Sequence, residues 1–302
     1  MIDGRRLGVE SICAVLRQAG WQVASSTYYA AKNRAPSVRA LKDAELVPQL
    51  VAIHQENYGV YGVRKLWKAA NRAGLGIGRD QTARLMRIAG IQGAIRSKRI
   101  RTTTPDPVAP RHPDLVKRRF TADAPNELWV TDLTFVSTWA GIAYVCFIID
   151  AFSRMIVGWR VAPSMRTETV LDAIEMARWS RGRHHTGLRC HSDAGSQFTS
   201  IRYGERLTEI GAVPSIGTVG DSFDNALAET VNGYYKTELI RGPVRVQKGP
   251  WKSVEDVELA TLGWVHWHNT ERLHGYLGDI PPAECEEVFY AEKTSTNQLV
   301  KT

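Results

Sequence analysis

The chain has 302 residues, 43% of them hydrophobic and 23% charged, which excludes wholesale disorder and allows a main domain with one or two smaller ones. Its net charge of +8 is uneven: residues 1–120 hold 22 Lys/Arg against 8 Asp/Glu, and residues 121–302 hold 17 against 23. A basic front half on a mildly acidic back half is the pattern of a polyanion-binding arm joined to a catalytic body.

Residues 1–43 predict a helical segment that turns irregular and closes at Pro36. Residues 44–93 predict a three-helix unit, with helices over 44–56, 63–72 and 79–89. Leu46, Val47, Leu50, Val51 and Ile53 mark the first by their spacing, and Gly90 stands just past the end of the third. A turn before a helix bearing Arg79, Gln81, Thr82, Arg84 and Arg87 is the pattern of a helix-turn-helix reader of DNA. Residues 94–120 predict a basic linker. Its four prolines (Pro105, Pro107, Pro110, Pro113) and its Thr102-Thr103-Thr104 run suit an extended or flexible tether with no core.

From Leu128 the pattern changes to strands. Residues 128–137, 141–150 and 155–162 predict an antiparallel meander, followed by a helix over 167–181. A short buried strand over 188–191, a helix over 196–210 and a strand over 212–216 come next. A helix from Asp221 onward carries Glu229, and another over 253–269 starts at a Ser253-x-x-Asp256 box. The last dozen residues are polar and expected to fray. This order implies an α/β protein: a ribonuclease H-like core, a mixed five-stranded sheet flanked by helices, behind an N-terminal all-helical helix-turn-helix domain. The expected division is 1–43, 44–93, 94–120, a core over 121–286, and a tail over 287–302.

Three acids carry the chemistry. Sixty residues separate Asp132 from Asp193, and thirty-five separate Asp193 from Glu229. Asp132 falls inside the first strand, Asp193 just after the fourth, and Glu229 on the helix after the fifth. Functional groups gather at strand ends in such sheets. Three carboxylates there are hard oxygen ligands for two magnesium-like ions, the chemistry of cutting and joining phosphodiesters. No His or Cys cluster points instead to zinc. Asn225, Asn232 and Lys236 share the helical face of Glu229, a stripe suited to a phosphate backbone. Asp150, at the end of the second strand, reads as a turn cap. The four cysteines form no CxxC pair, which fits a reducing cytoplasm, and there is no apolar run long enough to span a membrane.

Together WVTDLTFV at Asp132, DAFSRMIVGW from Asp150, HSDAGSQFTS at Asp193, DSFDNALAETVNGYYKTEL at Glu229 and WHNTERLHGYLGDIPPAE from Trp267 form a recognisable set. The chain resembles the DDE transposases of bacterial insertion sequences, in particular the second reading frame of the IS-three family, whose catalytic core is like that of retroviral integrases. The resemblance implies that Asp132, Asp193 and Glu229 are the catalytic metal ligands for two ions, Mg2+ or Mn2+, and that Lys236 contacts DNA near the cleaved end. It implies metal-dependent 3′-end cleavage and strand transfer at the terminal repeats. The expected partners are double-stranded DNA (element ends and target), further copies of the chain as a homo-oligomer on DNA, and the first-reading-frame protein or a frameshift fusion with it. The expected location is the bacterial cytoplasm, on the nucleoid. Ala194 and Phe223 depart from the family pattern, where a basic residue and Trp are common. Two rivals remain at this point: a structure-specific nuclease of the same fold, and a non-catalytic regulator bound at the termini.

Overall fold

The computed structural model describes residues 8–95, 114–116, 120–182, 187–193, 195, 197–198, 200–216, 225–243 and 248–299. The chain divides into two compact units, residues 1–49 and 50–302. The first holds α1 (Val9–Gln18), α2 (Ser25–Asn33) and the start of α3 (Val38–Glu56). Helix α3 starts six residues before the expected position. Ser37 provides the start signal the periodicity missed: its hydroxyl accepts from the Ala40 amide at 3.2 Å, an N-cap contact.

In the second unit, α4 (Val63–Arg72) packs against α5 (Arg79–Ala89). Leu66, Ala70, Ile77, Leu85 and Met86 are buried there. The turn between the helices is stitched by Trp67 and Asn71, whose side chains both donate to the Ile77 carbonyl at 2.9 Å. Gly90 closes α5 in the left-handed conformation, as its position implied.

The sheet has the order β3-β2-β1-β4-β5. Strands β1 (Leu128–Thr138), β2 (Gly141–Asp150) and β3 (Ile156–Ala162) form the expected antiparallel meander. β4 (Arg189–Ser192) lies parallel to β1, and β5 (Val213–Ile216) parallel to β4. This mixed sheet is the ribonuclease H-like arrangement. On one face Trp129, Cys146 and Ile148 pack with Val170 and Ile174 of α6 (Thr167–Arg181) and Tyr203 and Leu207 of α7 (Ile201–Glu209). Gly158 lets α6 sit this close, because a Cβ there would lie 2.2 Å from the Ala173 carbonyl oxygen. On the other face Phe147 meets Tyr235 edge-on at 5.1 Å, and Tyr235 meets Trp264 at 5.2 Å. Those partners lie on α8 (Ala226–Tyr235) and α9 (Val254–Thr270).

Several boundaries differ from expectation. Helix α7 begins at Ile201, where the Ser200 hydroxyl caps it, and the residues just before it form a turn closed by Phe198 N–H to the Gly195 carbonyl. Helix α8 begins at Ala226, while residues 221–224, expected as its first turn, lie outside the described residues together with 217–220 before them. Residues 96–113 and 117–119 of the expected linker also lie outside them. The short piece between is no free tether: Val116 is buried and the Leu115 amide donates to the Ser215 hydroxyl at 2.9 Å. Of the last dozen residues, expected to fray, 291–299 continue a helix, α10 (Pro282–Leu299), and 300–302 lie outside the described residues. The helix is anchored where Glu286 meets Arg181 and Ser153, and where Phe289 packs edge-on against Phe152 at 5.0 Å.

Candidate active site

Asp132 stands on the central strand, opposite Phe147 of β2. Side chains alternate along a strand, so Asp132 shares the face that Phe147 turns toward α8. The parallel pairing of β1 with β4 matches Leu128 to Arg189, Trp129 to Cys190 and Val130 to His191. The same offset carried two residues further sets Asp193 level with Asp132, one strand away, where neighbouring strands lie about 4.8 Å apart. Helix α8 brings in Glu229, half-buried.

The electrostatics agree with this juxtaposition. The Asp132 carboxyl is pushed up to about 8, chiefly by burial, then by repulsion from Asp193 and from Glu229. Two donors hold it in place: the Leu133 amide at 2.8 Å on Oδ1 and the Asn232 side-chain amide at 2.9 Å on Oδ2. Asp193 is exposed at one side, yet its carboxyl is also raised, first by burial of the group against the site; the Gly195 amide and His191 oppose the shift. The Gly195 amide donates to Asp193 Oδ1 at 3.1 Å, and a Cβ on Gly195 would lie 3.0 Å from that oxygen. Among the described residues no group of three or more carboxylate, imidazole or thiolate side chains is drawn tightly enough to enclose one ion. The three acids are electrostatic neighbours rather than a closed cage.

The stripe on the Glu229 helix resolves into distinct positions. Asn225 and Asn232 are buried, not turned outward. Asn225 Nδ2 donates to the Thr131 carbonyl at 3.0 Å, so both asparagines clamp the stretch of β1 that carries Asp132. Their Oδ1 atoms are buried with no hydrogen-bond partner among the described residues. Acceptors left open beside three carboxylates suit a hydrated divalent cation, whose waters would donate to them. Lys236 reaches the rim of the site. Its ammonium lies 4.8 Å from the centre of the exposed Phe135 ring, and its pKa is lowered by partial burial and by Arg241, with Asp132 opposing.

Asp150 is the turn cap its position implied. Its oxygens accept from the Asn126, Phe152 and Ser153 amides at 2.7, 2.8 and 3.3 Å. On α5, Arg79 and Arg87 are exposed and Arg84 is half-buried. Sequence reasoning missed a buried polar group around Glu238 and Arg272. Its signal was present in WHNTERLHGYL, where charged and imidazole side chains follow the end of an aromatic-bearing helix. No helix among the described residues is long and apolar enough to cross a membrane.

Residues 122–222 and 211–282 match models of an integrase core domain, and residues 40–99 match an HTH-like domain. The protein assigned as transposase to insertion sequence element IS986/IS6110 of Mycobacterium tuberculosis is 54% identical over 275 residues, covering 90% of this chain and 97% of that one. The transposase for insertion sequence element IS629 of Shigella sonnei is 45% identical over 289 residues, covering 94% and 93%. Among solved structures, the catalytic core domain of the HTLV-2 integrase in complex with magnesium aligns with a TM-score of 0.43 and 16% identity, over 54% of this chain and 98% of that one.

Proposed function

The chain belongs to the IS-three family of insertion-sequence transposases, and on that premise we propose that Asp132, Asp193 and Glu229 are its catalytic carboxylates. In this reading they hold two divalent cations, Mg2+ or Mn2+, for 3′-end cleavage and strand transfer at the element's terminal repeats. The observation that supports it is the setting of Asp132: a half-buried carboxyl on β1 held by the Leu133 amide and Asn232, level with Asp193 by the parallel register and raised by burial and then by Asp193 and Glu229. Bound cations would stabilise the ionised form of a carboxyl raised chiefly by burial and further by two neighbouring acids, and would activate an attacking hydroxyl and steady the departing oxygen.

The chain's own groups prepare the site. The Asn232 amide and the Leu133 N–H orient Asp132, and Asn225 fixes the strand beneath it. This assigns the two asparagines to positioning, one step removed from the phosphate contacts expected of them. Lys236, beside Phe135 at the rim, is placed to meet a phosphate of the DNA end. Arg79, Arg84 and Arg87 on α5 are the proposed reading residues for the terminal repeat. Two ends must meet for joining, so the working form is a homo-oligomer on DNA, with the first-reading-frame protein as a further partner.

Transposition in cells by the Asp193→Asn variant tests the assignment. Loss of transposition with normal protein level is the expected result. Survival of transposition would reject a catalytic role and favour a regulator that only binds the termini.

A further inference from the structure

We propose that the buried Glu238–Arg272 pair is a positioning device that couples the helix-turn-helix to the helix bearing Glu229 and Lys236; this rests on the roles proposed above for those two residues. Directly after α8 the chain makes one π-helical turn, Lys236–Ile240. Such turns are rare and concentrate at functional sites. Glu238 lies within this turn and is buried, and Arg272, almost fully buried, grips it through three contacts of 3.1, 2.9 and 2.6 Å. One residue, Thr237, separates this grip from Lys236, and one helix connects it to Glu229.

The other side of the pair touches the reader. The Arg272 guanidinium lies over the Tyr234 ring of α8, 4.0 Å from its centre, and the neighbouring Leu273 amide donates to the Tyr61 hydroxyl at 2.8 Å. Tyr61 leads into α4, and Lys65 of α4 places its ammonium 5.3 Å from the Tyr61 ring and 6.0 Å from the Tyr234 ring. Arg64 bridges the same loop through Asp279 at 2.8 Å. Helix α4 in turn packs on α5, so a shift of α5 on DNA reaches the π turn through one unbroken set of contacts.

Stability alone does not call for this arrangement. A buried ion pair costs its desolvation, and apolar residues of similar size commonly serve a core at least as well. What the pair supplies is direction: a bidentate guanidinium fixes one register for the π turn.

Hydrogen exchange on the wild-type protein tests the coupling. The probe is a duplex carrying the terminal repeat with its outermost base pairs removed, so that α5 is engaged and the cleavage point is absent. Against a scrambled duplex, it is expected to slow exchange of the amides over 236–242 about tenfold. Unchanged exchange there would overturn the proposal. In the double variant Glu238→Met, Arg272→Met, the same duplex should bind with unaltered affinity. Joining turnover should fall about a hundredfold with the KM for DNA unchanged, as misplacement of reacting groups predicts. Wild-type turnover in that variant would also overturn it. If the double variant does not fold, the wild-type exchange result decides. A wild-type protein that shows the protection but joins no DNA would refute the catalytic reading while leaving the coupling standing.

Discussion

Replacing Asp132 by Asn should stabilise the metal-free protein at alkaline pH while abolishing joining. The Asp132 carboxyl rises from an ordinary 3.8 to about 8 in the fold. A carboxyl raised on folding binds its proton more tightly in the native state, so its ionisation opposes folding. Metal-free stability therefore declines as pH climbs from about 4 to about 8. At about 1.4 kcal/mol per unit, the full rise is worth about 5 kcal/mol at pH 8. The remaining solvent access of Asp132 and the mobility open to the exposed Asp193 side chain reduce this to about 2 kcal/mol. Asn keeps the contact with the Leu133 amide but sets its own NH2 against Asn232 Nδ2. A flip of the Asn232 amide repairs this, because its Oδ1 has no other partner among the described residues. For a unit of this size, about 2 kcal/mol appears as a gain of about 4–8 °C in Tm. The assay is thermal denaturation in EDTA at pH 8 and at pH 5, repeated with Mg2+. The variant should melt above wild type at pH 8, and the gap should shrink by more than half at pH 5. Mg2+ should raise wild type and leave the variant unmoved. A variant that melts at or below wild type in EDTA at pH 8, or a gap independent of pH, would refute the argument.

Other expectations follow from named contacts. Lys236→Ala should weaken binding to end DNA and reduce the slope of log affinity against log salt by about one, measured by fluorescence anisotropy. Asp150→Ala leaves three amides without their acceptor and should cost about 2–3 kcal/mol in urea denaturation, with the Mg2+ response of Tm intact. Arg79→Ala with Arg87→Ala should lower affinity for the terminal repeat more than for scrambled DNA, seen in competition gel shifts, if α5 reads bases.

The strands and their order along the chain were legible because they carry strong local signals: β-branched runs between turns, each ending where the apolar pattern stops. The elements that carry the three candidate acids were legible for the same reason: Asp132 lies inside β1, Asp193 just past β4 and Glu229 on α8. Pairing was not. That Asp193 comes level with Asp132 follows from a parallel register between residues some sixty apart, which no local pattern encodes. The asparagines show a second limit. Helical spacing put Asn225 and Asn232 on the face of Glu229 correctly, but periodicity says nothing of whether that face meets solvent or a strand, and both are buried. The tail misled through composition: its Thr, Ser and Asn residues are weak helix formers, but Phe289 and Glu286 upstream give α10 a hold that a count of polar residues cannot show. The Glu238–Arg272 pair was the least accessible, because its two halves lie on separate elements and only the fold reveals that each neutralises the other.

The central claim is that Asp132, Asp193 and Glu229 together cut and join DNA strands. Its most direct test is to incubate the purified protein with labelled element ends and Mg2+ and resolve the products on a denaturing gel. Joined strands with wild type, and neither nicks nor joins with Asp193→Asn or without divalent metal, is the predicted result. Nicked ends that never become joined, or joining that persists in Asp193→Asn, would contradict it.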